Sequence, residues 1–467
     1  MWSKIGGVGG TTGRMTLVPD IARSHPAPPD VPWTAPMALA PVRATVRLPG
    51  SKSMTARALV LAAVSIGSST LRHPLRARDT ELMAAGLRNM GTQVSTVEDD
   101  LWVLRPRPLR GPAHVDVGLA GTVMRFLPPI AGLAYGPVTF DGDPPARRRP
   151  LAPLLDALRE VGVRIDSAAG GGLPLTVHGN GRVRGGEVTI DASTSSQLVS
   201  GLLLTAADFD RGIVVHHVGP PVPSAPHLRM TVEMLRAAGA GVDDSMPNVW
   251  TVEPSRLVGR AWSIEPDLSG AAPFLAAAMV TGGEVTVPDW PRTTTQPGDQ
   301  LRGLLTAMGA RVTLGTAGLT LRGTGVVRGL DADLSDVSEL TPVLAALAAL
   351  ADRPSRLRGV GHIRAHETDR LGALARELGH LGAEVIEFDD GLEIQPKPLR
   401  GGVFETYDDH RLAHAAAVIG LTVRGVRLSD VGCTSKTMPE FPALWAGLVG
   451  AQPVGSAEGA DREGGAV

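Results

Sequence analysis

One pattern recurs five times along the chain and limits the folds that it can adopt. Each copy has a helical segment that ends in Leu-x-x-x-Gly, followed by two alternating strands joined by a turn. A glycine at the end of a helix lets the chain turn through a left-handed conformation, and alternation of apolar and polar residues is typical of strands. The glycines lie 70–77 residues apart and are Gly91, Gly162, Gly239, Gly309 and Gly382. A period this long predicts repeated units that each contain helices and a β-hairpin.

A sixth copy near the C-terminus is incomplete. Residues 441–449 predict a helix, but no strands follow them. We expect the strand at residues 44–48 to supply the missing pairing and so to close a circularly permuted unit. The chain is therefore predicted to be an α/β protein with six units, either in one array or in two multi-repeat domains. Its 467 residues are enough for more than one hydrophobic core.

Composition excludes several classes of protein. The formal net charge is -2, so no overall basic field favours nucleic acid or a membrane surface, and any anion site must be local. The single cysteine, Cys433, excludes an internal disulfide and a cysteine-rich zinc site, and it fits a reducing cytoplasm. The longest apolar stretch, residues 340–351, contains a proline and is too short to span a bilayer.

The two ends of the chain differ from the rest. Residues 1–36 are rich in Gly and Pro and have no apolar periodicity. They lack the compact apolar block of a signal peptide. We interpret them as a flexible extension, or as an over-extended start with Met37 near the true beginning. Residues 451–467 are rich in Gly, Ala and acidic residues and are predicted to be disordered.

The segment LPGSKSMTAR, residues 48–57, has the order strand, tight turn and helix start. A helix N-terminus offers unpaired N–H groups and the positive end of its dipole, which favour an anion. Here Lys52, Arg57 and the hydroxyls of Ser51 and Ser53 surround it. An ordinary capped helix start is the alternative for this segment taken alone.

Similar polar or basic segments precede other predicted helices in both halves of the chain. Each one alone is compatible with an ordinary helix cap or a solvated face. Together they predict an anion site assembled from both halves, for substrates that carry phosphates and carboxylates, closed by domain movement. They are AGTVMR at 120–125, RRRP at 147–150, STSSQ at 193–197, SELTP at 338–342, YDDHR at 407–411 and CTSKT at 433–437.

Residues 362–370 are the densest cluster, with six ionisable side chains in nine positions. These groups can pair with each other, or a carboxylate among them can serve in proton transfer. A metal site from His362, His366 and Glu367 is a third interpretation. It lacks the helical motif in which two histidines four residues apart flank a glutamate, so no metal is expected.

Taken in order, LPGSKSMTAR, AGTVMR, RRRP, SSQ, HETDRL, YDDHR and CTSKT resemble the signatures of the 5-enolpyruvylshikimate-3-phosphate synthase family. The resemblance covers roughly residues 41–449. It implies an inside-out α/β barrel of two domains, each with three βαβαββ units. Residues 37–50 with 266–450 would form domain I, and residues 51–265 would form domain II.

The resemblance also implies the reaction. The enolpyruvyl group of phosphoenolpyruvate moves to the 5-hydroxyl of shikimate 3-phosphate and phosphate is released, a step of aromatic amino acid biosynthesis. A base, an acid and a cationic lining suffice for this chemistry, so no cofactor is expected. The implied protein is a cytoplasmic monomer with two small-molecule substrates and no nucleic-acid or membrane partner. With Gly121 in place, it is expected to be sensitive to glyphosate.

The family's functional residues map onto this sequence through the matching motifs. Those implied to bind shikimate 3-phosphate are Lys52, Ser53, Arg57, Ser195, Ser196, Gln197, Ser224, Glu339 and His366. Those implied to bind phosphoenolpyruvate are Lys52, Gly121, Arg149, Gln197, Arg370, Arg411 and Lys436. The groups implied in catalysis are Lys52, Glu339 and Glu367, with His410 and Lys436 close by.

The chain departs from the family's common residues at several positions. Ala56 and Leu119 stand where Asn is common, Phe126 where Pro is usual, and His227 where Tyr is frequent. His362 and His366 stand where Asn and Lys are frequent, and Glu339 stands where many members have Asp.

Two other functions remain as alternatives. The sister enzyme that acts on UDP-N-acetylglucosamine would have a loop cysteine near residues 120–150, and this chain has none there. A non-catalytic anion-binding protein of the same fold is the second alternative. The complete set of acidic and basic motifs argues against it.

Overall fold

The computed structural model describes residues 31–98 and 100–450. The described part is an α/β fold of short strands and helices, and the predicted class is confirmed. The strands are β1 (Trp33–Thr34), β2 (Arg43–Thr45), β3 (Ser69–Arg72), β4 (Gln93–Glu98), β5 (Leu101–Arg105), β6 (Ala113–Asp116), β7 (Tyr135–Asp141), β8 (Arg164–Ala168), β9 (Gly172–Asn180), β10 (Gly186–Ile190), β11 (Ile213–His217), β12 (Val242–Asp243), β13 (Val249–Val252), β14 (Ala261–Ser263), β15 (Glu284–Val287), β16 (Arg311–Gly315), β17 (Gly318–Arg322), β18 (Asp331–Asp333), β19 (Ser355–Arg358), β20 (Glu384–Phe388), β21 (Gly391–Gln395), β22 (Gly402–Phe404) and β23 (Val426–Leu428).

The helices connect these strands and cover the sheets. They are α1 (Lys52–Val64), α2 (Arg78–Asn89), α3 (Gly121–Gly132), α4 (Ala152–Glu160), α5 (Ser196–Thr205), α6 (Ala225–Ala237), α7 (Ala272–Thr281), α8 (Leu301–Ala307), α9 (Thr341–Ala349), α10 (Arg370–His380), α11 (His410–Gly420) and α12 (Phe441–Val449). Short 3-10 turns precede α7, α8, α9 and α10.

The strands form six small sheets, and the described residues contain no single closed barrel. In five sheets the first strand is parallel to the second, and the second is antiparallel to one strand of a hairpin. The sheet β6-β7-β9-β8 illustrates the pattern, with α3 between β6 and β7 and α4 before the hairpin. This is the predicted βαβαββ unit. The five repeat glycines all have φ between +96° and +110°, which is the reason that glycine is favoured there.

Two sheets take their first strand from a distant part of the chain. Strand β14 pairs in parallel with β3, although almost 200 residues separate them. Strand β2 pairs in parallel with β15 in the same way. Circular permutation therefore occurs in these two units, which are not the C-terminal unit for which it was predicted.

The strand that completes the C-terminal sheet differs from the prediction. Residues 44–48 were expected to fill this role, and that expectation is wrong, because β2 pairs with β15. The sheet is completed instead by Trp33 and Thr34, which pair antiparallel to β23. Ala35 is buried and donates its N–H to Val426 O at 3.0 Å. Residues 33–35 therefore do not belong to the expected extension. The sequence did not indicate this pairing because a two-residue strand has no periodic pattern. Residues 1–30 and the predicted tail at 451–467 lie outside the described part.

Buried apolar side chains form two separate cores. One contains residues from Ala56 to Ile264, and the other contains Ala35, Val42 and Val46 together with residues from Leu268 to Leu448. The two connecting segments lie side by side, with Ser51 N donating to Glu265 O at 2.7 Å and Asp267 N donating to Pro49 O at 2.9 Å. We propose that the two cores correspond to domain II (51–265) and domain I (37–50 with 266–450).

Three helices in each core are buried on nearly every side. These are α1, α3 and α5 in one core and α7, α9 and α11 in the other. A helix that is apolar all round belongs in an interior, and the sheets pack outside these helices. Among the described residues, no helix has the length and apolar character needed to cross a membrane.

Candidate active site

The buried helices begin at one place between the two cores. Lys52 begins α1, Gly121 begins α3, Ser195 caps α5 and His410 begins α11. Glu339 lies just before α9, and Ser269 lies just before α7. All of these residues line two small adjoining cavities. Helix N-termini carry a partial positive charge, so their convergence favours anions.

The first cavity, which we call the arginine cavity, holds about 50 Å³ of space. Basic side chains dominate its wall. It is lined by Lys52, Asp79, Gly121, Thr122, Arg125, Arg149, Thr194, Ser195, Gln197, Glu339, Ala365, His366, Glu367, Arg370, His410 and Arg411.

The second cavity, which we call the serine cavity, is smaller and less basic. It is lined by Ser51, Lys52, Ser53, His227, Met230, Asp267, Ser269, Gln296, Pro297, Glu339 and Arg411. Lys52, Glu339 and Arg411 line both cavities. These three groups therefore form a shared wall between two compartments.

Residues from both cores hold Lys52 in place. Its Nζ lies 3.5 Å from Asp79 Oδ2, and its backbone N–H donates to Asp267 Oδ2 at 3.1 Å. Asp267 also accepts from Gly270 N at 3.0 Å. The lysine side chain keeps 18% of its surface exposed, so its ammonium group faces the cavities.

Arg125 and Arg149 lie close together beside the start of α3. Arg149 donates to Leu119 O at 3.0 Å, and Arg125 donates to Gln197 Oε1 at 3.1 Å. Burial lowers the pKa of Arg125, and the nearby Arg149 acts in the same direction while Glu367 opposes it. The Nε atoms of both arginines are buried without a hydrogen-bond partner. Two crowded guanidinium groups with unused donors suit an anion.

A buried ion network closes the far side of the arginine cavity. Glu367 binds Lys436 Nζ at 2.5 Å and Arg370 at 2.9 Å. Arg370 also holds Asp409 through two hydrogen bonds of 2.7 and 3.1 Å. Burial alone would raise the pKa of Glu367, but Lys436 and Arg370 hold it well below the usual range. Lys436 Nζ reaches Leu119 O in the other core at 3.3 Å, so the network spans the cleft.

Glu339 has basic side chains on three sides. Its carboxylate lies 3.7 Å from His227 Nε2 and 3.9 Å from Arg411, and Lys52 is nearby. Desolvation would raise the pKa of Glu339, but His227, Arg411 and Lys52 together hold it well below its ordinary value. The side chain remains 27% exposed, so an ionised carboxylate faces the shared wall.

Several histidines near the site are held neutral. Burial lowers the pKa of His410 well below its usual value, with Arg411 and Lys52 acting in the same direction, and neither ring nitrogen makes a hydrogen bond, although Nδ1 lies 3.9 Å from Asp409 Oδ1. Burial and Arg370 lower the pKa of His366, whose Nδ1 lies 3.0 Å from that arginine. His362 Nε2 lies 2.8 Å from Ser338 Oγ. Neutral imidazoles here can each accept a hydrogen bond at one ring nitrogen.

The titration of His362 predicts a change of stability with pH. Burial and Arg370 lower the pKa of His362 from 6.5 to about 4. Between these values the unfolded chain binds a proton that the folded chain does not, so stability falls as the pH decreases through this window. Between pH 7 and pH 5 the parent should lose about 1–2 kcal/mol more unfolding free energy than His362→Asn. Urea unfolding at both pH values measures this, with His114→Asn on β6 as an exposed control. Equal losses in parent and His362→Asn would contradict it.

Three residues implied to bind shikimate 3-phosphate line neither cavity. Arg57 is buried, and its guanidinium donates to Thr231 Oγ1 at 2.7 Å and to Ser53 O at 3.0 Å. Its charge also lies 5.3 Å from the centre of the Phe126 ring. Burial lowers the pKa of Arg57 to about 9, so it stays charged at neutral pH. The guanidinium of Arg57 thus finds hydrogen-bond acceptors within its own core.

The other two are Ser196 and Ser224. Ser196 is buried at the first position of α5, behind its neighbours Ser195 and Gln197. Ser224 has φ +54° and caps α6. It reaches the other core, with its N–H donating to Ser335 O at 2.9 Å and its hydroxyl 3.4 Å from Ser338 Oγ. Contact of these residues with substrate stays a prediction.

The remaining implied residues meet at the cleft. Lys436 does so through its bonds to Glu367 and Leu119 rather than as part of a cavity wall. Of the three arginines in RRRP, only Arg149 lines a cavity, while Arg147 pairs with Asp141 on the surface. Asp79, Asp267 and Gln296 line the cavities and were not predicted. A charge count around each motif could not find them, because their partners are distant in sequence.

Comparison with known proteins identifies the family of this chain. A family model described as EPSP synthase (3-phosphoshikimate 1-carboxyvinyltransferase) matches residues 37–445. A structure of EPSP synthase from Acinetobacter baumannii is 23% identical, with a TM-score of 0.74, and the match covers 89% of this chain and 97% of that one. A second EPSP synthase structure from the same organism is 22% identical, with a TM-score of 0.72 and the same coverage. The enolpyruvyl transferase NikO from Streptomyces tendae is 18% identical, with a TM-score of 0.71 and again the same coverage. At these identities the solved structures support the fold, and the family model supports the family.

Proposed function

The chain belongs to the EPSP synthase family and is a 3-phosphoshikimate 1-carboxyvinyltransferase, and on this premise we propose how its residues share the work. The enzyme transfers the enolpyruvyl group of phosphoenolpyruvate to the 5-hydroxyl of shikimate 3-phosphate and releases phosphate. The observation that carries our proposal is the pair of adjoining cavities with Lys52, Glu339 and Arg411 in their shared wall. Two substrates bound on either side of this wall would present their reacting atoms to the same groups.

Phosphoenolpyruvate occupies the arginine cavity in this proposal. Its phosphate and carboxylate are matched by Arg149, Arg370, Arg411 and Lys52, supplemented by the N–H groups at the start of α3. Forked guanidinium groups bind such oxygens through paired hydrogen bonds. In the structure, Glu367 pairs with both Lys436 and Arg370. The substrate would replace part of this internal pairing.

Shikimate 3-phosphate occupies the serine cavity and its border with α5. Ser53 lies in the serine cavity, whereas Ser195 and Gln197 line the arginine cavity next to Lys52. This placement supports a phosphate that lies between the starts of α1 and α5. The 5-hydroxyl would then point towards the shared wall, where Glu339 is the available base.

The chemistry follows from the charges at the wall. As the hydroxyl oxygen attacks C2 of phosphoenolpyruvate, an ionised Glu339 accepts its proton and C3 gains one from a nearby acid. Lys52 is positioned for this donation, and Glu367 with Lys436 is the second group able to move a proton. Loss of a C3 proton and cleavage of the C2–O bond then release phosphate. Basic side chains stabilise the charge that develops on the phosphate.

A phosphate-release assay tests the assignment of substrates. Release should require both phosphoenolpyruvate and shikimate 3-phosphate, with no signal when either is omitted. Replacement of shikimate 3-phosphate by UDP-N-acetylglucosamine should give no release. Substrate-independent release, or turnover with the sugar nucleotide, would contradict the proposal.

The size of residue 121 should control binding of phosphoenolpyruvate. A Cβ at Gly121 would lie 2.9 Å from both Arg125 Nη1 and Arg149 Nη2. These are the ends of flexible side chains, so Gly121→Ala should fold normally but displace both guanidinium groups. We expect a rise of about ten-fold in the KM for phosphoenolpyruvate, equivalent to 1.4 kcal/mol. We also expect glyphosate to compete with phosphoenolpyruvate in the parent, and to do so less effectively in the variant.

Gly303 offers a matched control for that substitution. It lies in α8, and a Cβ there would meet nothing within 4 Å. Gly303→Ala should therefore leave the KM unchanged. If Gly121→Ala behaves like this control, Gly121 does not limit the space in the arginine cavity.

The monomeric state, the cytoplasmic location and the absence of a cofactor remain predictions.

A further inference from the structure

Two consecutive residues just before α11 have a backbone conformation that needs support. Tyr407 has φ +52° and Asp408 has φ +56°. Positive φ is uncommon for residues other than glycine and is an outlier for a bulky side chain. Such conformations persist only where the surrounding structure holds them. The next residues are Asp409, His410 and Arg411, which belong to the active site.

A buried carboxylate on α10 holds the first part of this turn. Glu377 Oε1 accepts from the Tyr407 hydroxyl at 2.6 Å, and Oε2 accepts from Glu405 N at 3.2 Å. Arg376 donates to the same hydroxyl at 2.8 Å. The exposed side chain of His380 places its Nδ1 3.5 Å from Glu377 Oε2. Because the carboxylate of Glu377 is almost wholly buried, the two hydrogen bonds that it accepts are partly sheltered from water and are stronger than surface ones.

The same helix holds the turn at a second point. Arg370, the first residue of α10, binds Asp409 through its Nε and Nη2. Glu377 lies seven residues later, two turns along the helix and on the same face. The segment from Glu405 to Asp409 is therefore attached to α10 at both ends.

This attachment determines where the active-site end of α11 lies. Asp409 caps α11 by accepting from Arg411 N at 2.9 Å. His410 and Arg411 follow directly, and both line the arginine cavity with Arg370. A shift of the turn would therefore change the spacing between Arg370 and Arg411.

We propose that Tyr407 and Glu377 are positioning residues that hold the left-handed turn, and thereby set the distance between the two arginines that receive phosphoenolpyruvate. Neither residue lines a cavity, and both act through Asp409 and Arg411. The inference rests on the proposed role of Arg370 and Arg411. Prearranged spacing matters because a bidentate anion site loses affinity when its donors are misplaced.

The variant Tyr407→Phe tests the inference because it keeps the ring and removes only the hydroxyl. We expect the KM for phosphoenolpyruvate to rise about ten-fold, with the KM for shikimate 3-phosphate within about two-fold of the parent. Tyr135→Phe is the matched control, since Tyr135 is exposed on β7 and lines neither the arginine cavity nor the serine cavity. Thermal unfolding of each variant shows whether it is folded at the assay temperature.

A rescue experiment separates positioning from a general structural role. Glycine adopts positive φ without steric cost, so Tyr407→Phe with Asp408→Gly should recover most of the lost affinity for phosphoenolpyruvate. An unchanged KM in Tyr407→Phe, an equal rise for both substrates, or no recovery in the double variant would each overturn the inference.

Two further variants distinguish this inference from the proposed function on which it rests. Arg370→Lys and Arg411→Lys should each raise the KM for phosphoenolpyruvate. If they do and Tyr407→Phe does not, only the positioning role is wrong. If neither arginine variant changes this KM, the assignment of the arginine cavity is wrong as well.

Discussion

Replacing Lys52 by Met is expected to lower turnover at least a hundred-fold in a protein that remains folded. A hundred-fold loss corresponds to about 2.7 kcal/mol and is the usual scale for one group in proton transfer. Lys52 is the ammonium group of the wall shared by both cavities, so its loss removes a proton donor and a positive charge next to the reacting atoms. Methionine retains the apolar stem of Lys52, so the substitution leaves no void in the packing.

The measurement is kcat from phosphate release with both substrates saturating. Lys397→Met is the matched control, because Lys397 is exposed and pairs with Glu384 at 3.4 Å on the surface. This control should keep parental turnover. Asp79 would lose its partner in Lys52→Met, so Lys52→Arg is a useful second variant that keeps the charge. Turnover of Lys52→Met within a few-fold of the parent would remove Lys52 from the chemistry.

The second large effect is expected for Glu339→Ala, which should also lose at least a hundred-fold in kcat. Glu339 is ionised beside His227 and Arg411, and without it the acceptor hydroxyl has no carboxylate base at the shared wall. Its removal also leaves more net positive charge in the site. The KM for phosphoenolpyruvate should therefore stay level or fall, unlike the rise expected for the arginine variants.

Two comparisons make the Glu339 result specific. Glu339→Gln keeps the shape and should be as impaired as Glu339→Ala if the charge is what matters. Glu384→Ala, at an exposed surface pair, should be unaffected. Near-normal phosphate release by both Lys52→Met and Glu339→Ala would contradict the proposed assignment of acid and base.

Local sequence signals predicted the repeated unit correctly. Leu-x-x-x-Gly marked five helix ends, and each glycine has the left-handed conformation that the pattern requires. Helix starts were equally visible, because Ser, Asp and Gly at a start have physical roles within a few residues of themselves. Ser51, Ser195 and Asp409 cap α1, α5 and α11 in this way.

Pairings between distant segments were harder to predict. The choice between β1 and β2 for the last sheet depended on which strand could reach β23, and a two-residue strand carries no periodic signal. The resemblance implied that Arg57 binds substrate, and this stays a prediction. What its motif could not show is that Thr231, Ser200 and the backbone of His227 also bind its guanidinium, because these partners lie at least 143 residues away.

By itself, the sequence determined the α/β repeat, the helix starts that carry basic and hydroxyl groups, and the family resemblance, because these depend on residues that are close together along the chain. Only the tertiary structure decided that those helix starts converge between two cores, that Lys52, Glu339 and Arg411 stand in one wall, and that Glu377 supports the turn before α11. These are consequences of packing, in which burial brings together groups that no local pattern relates.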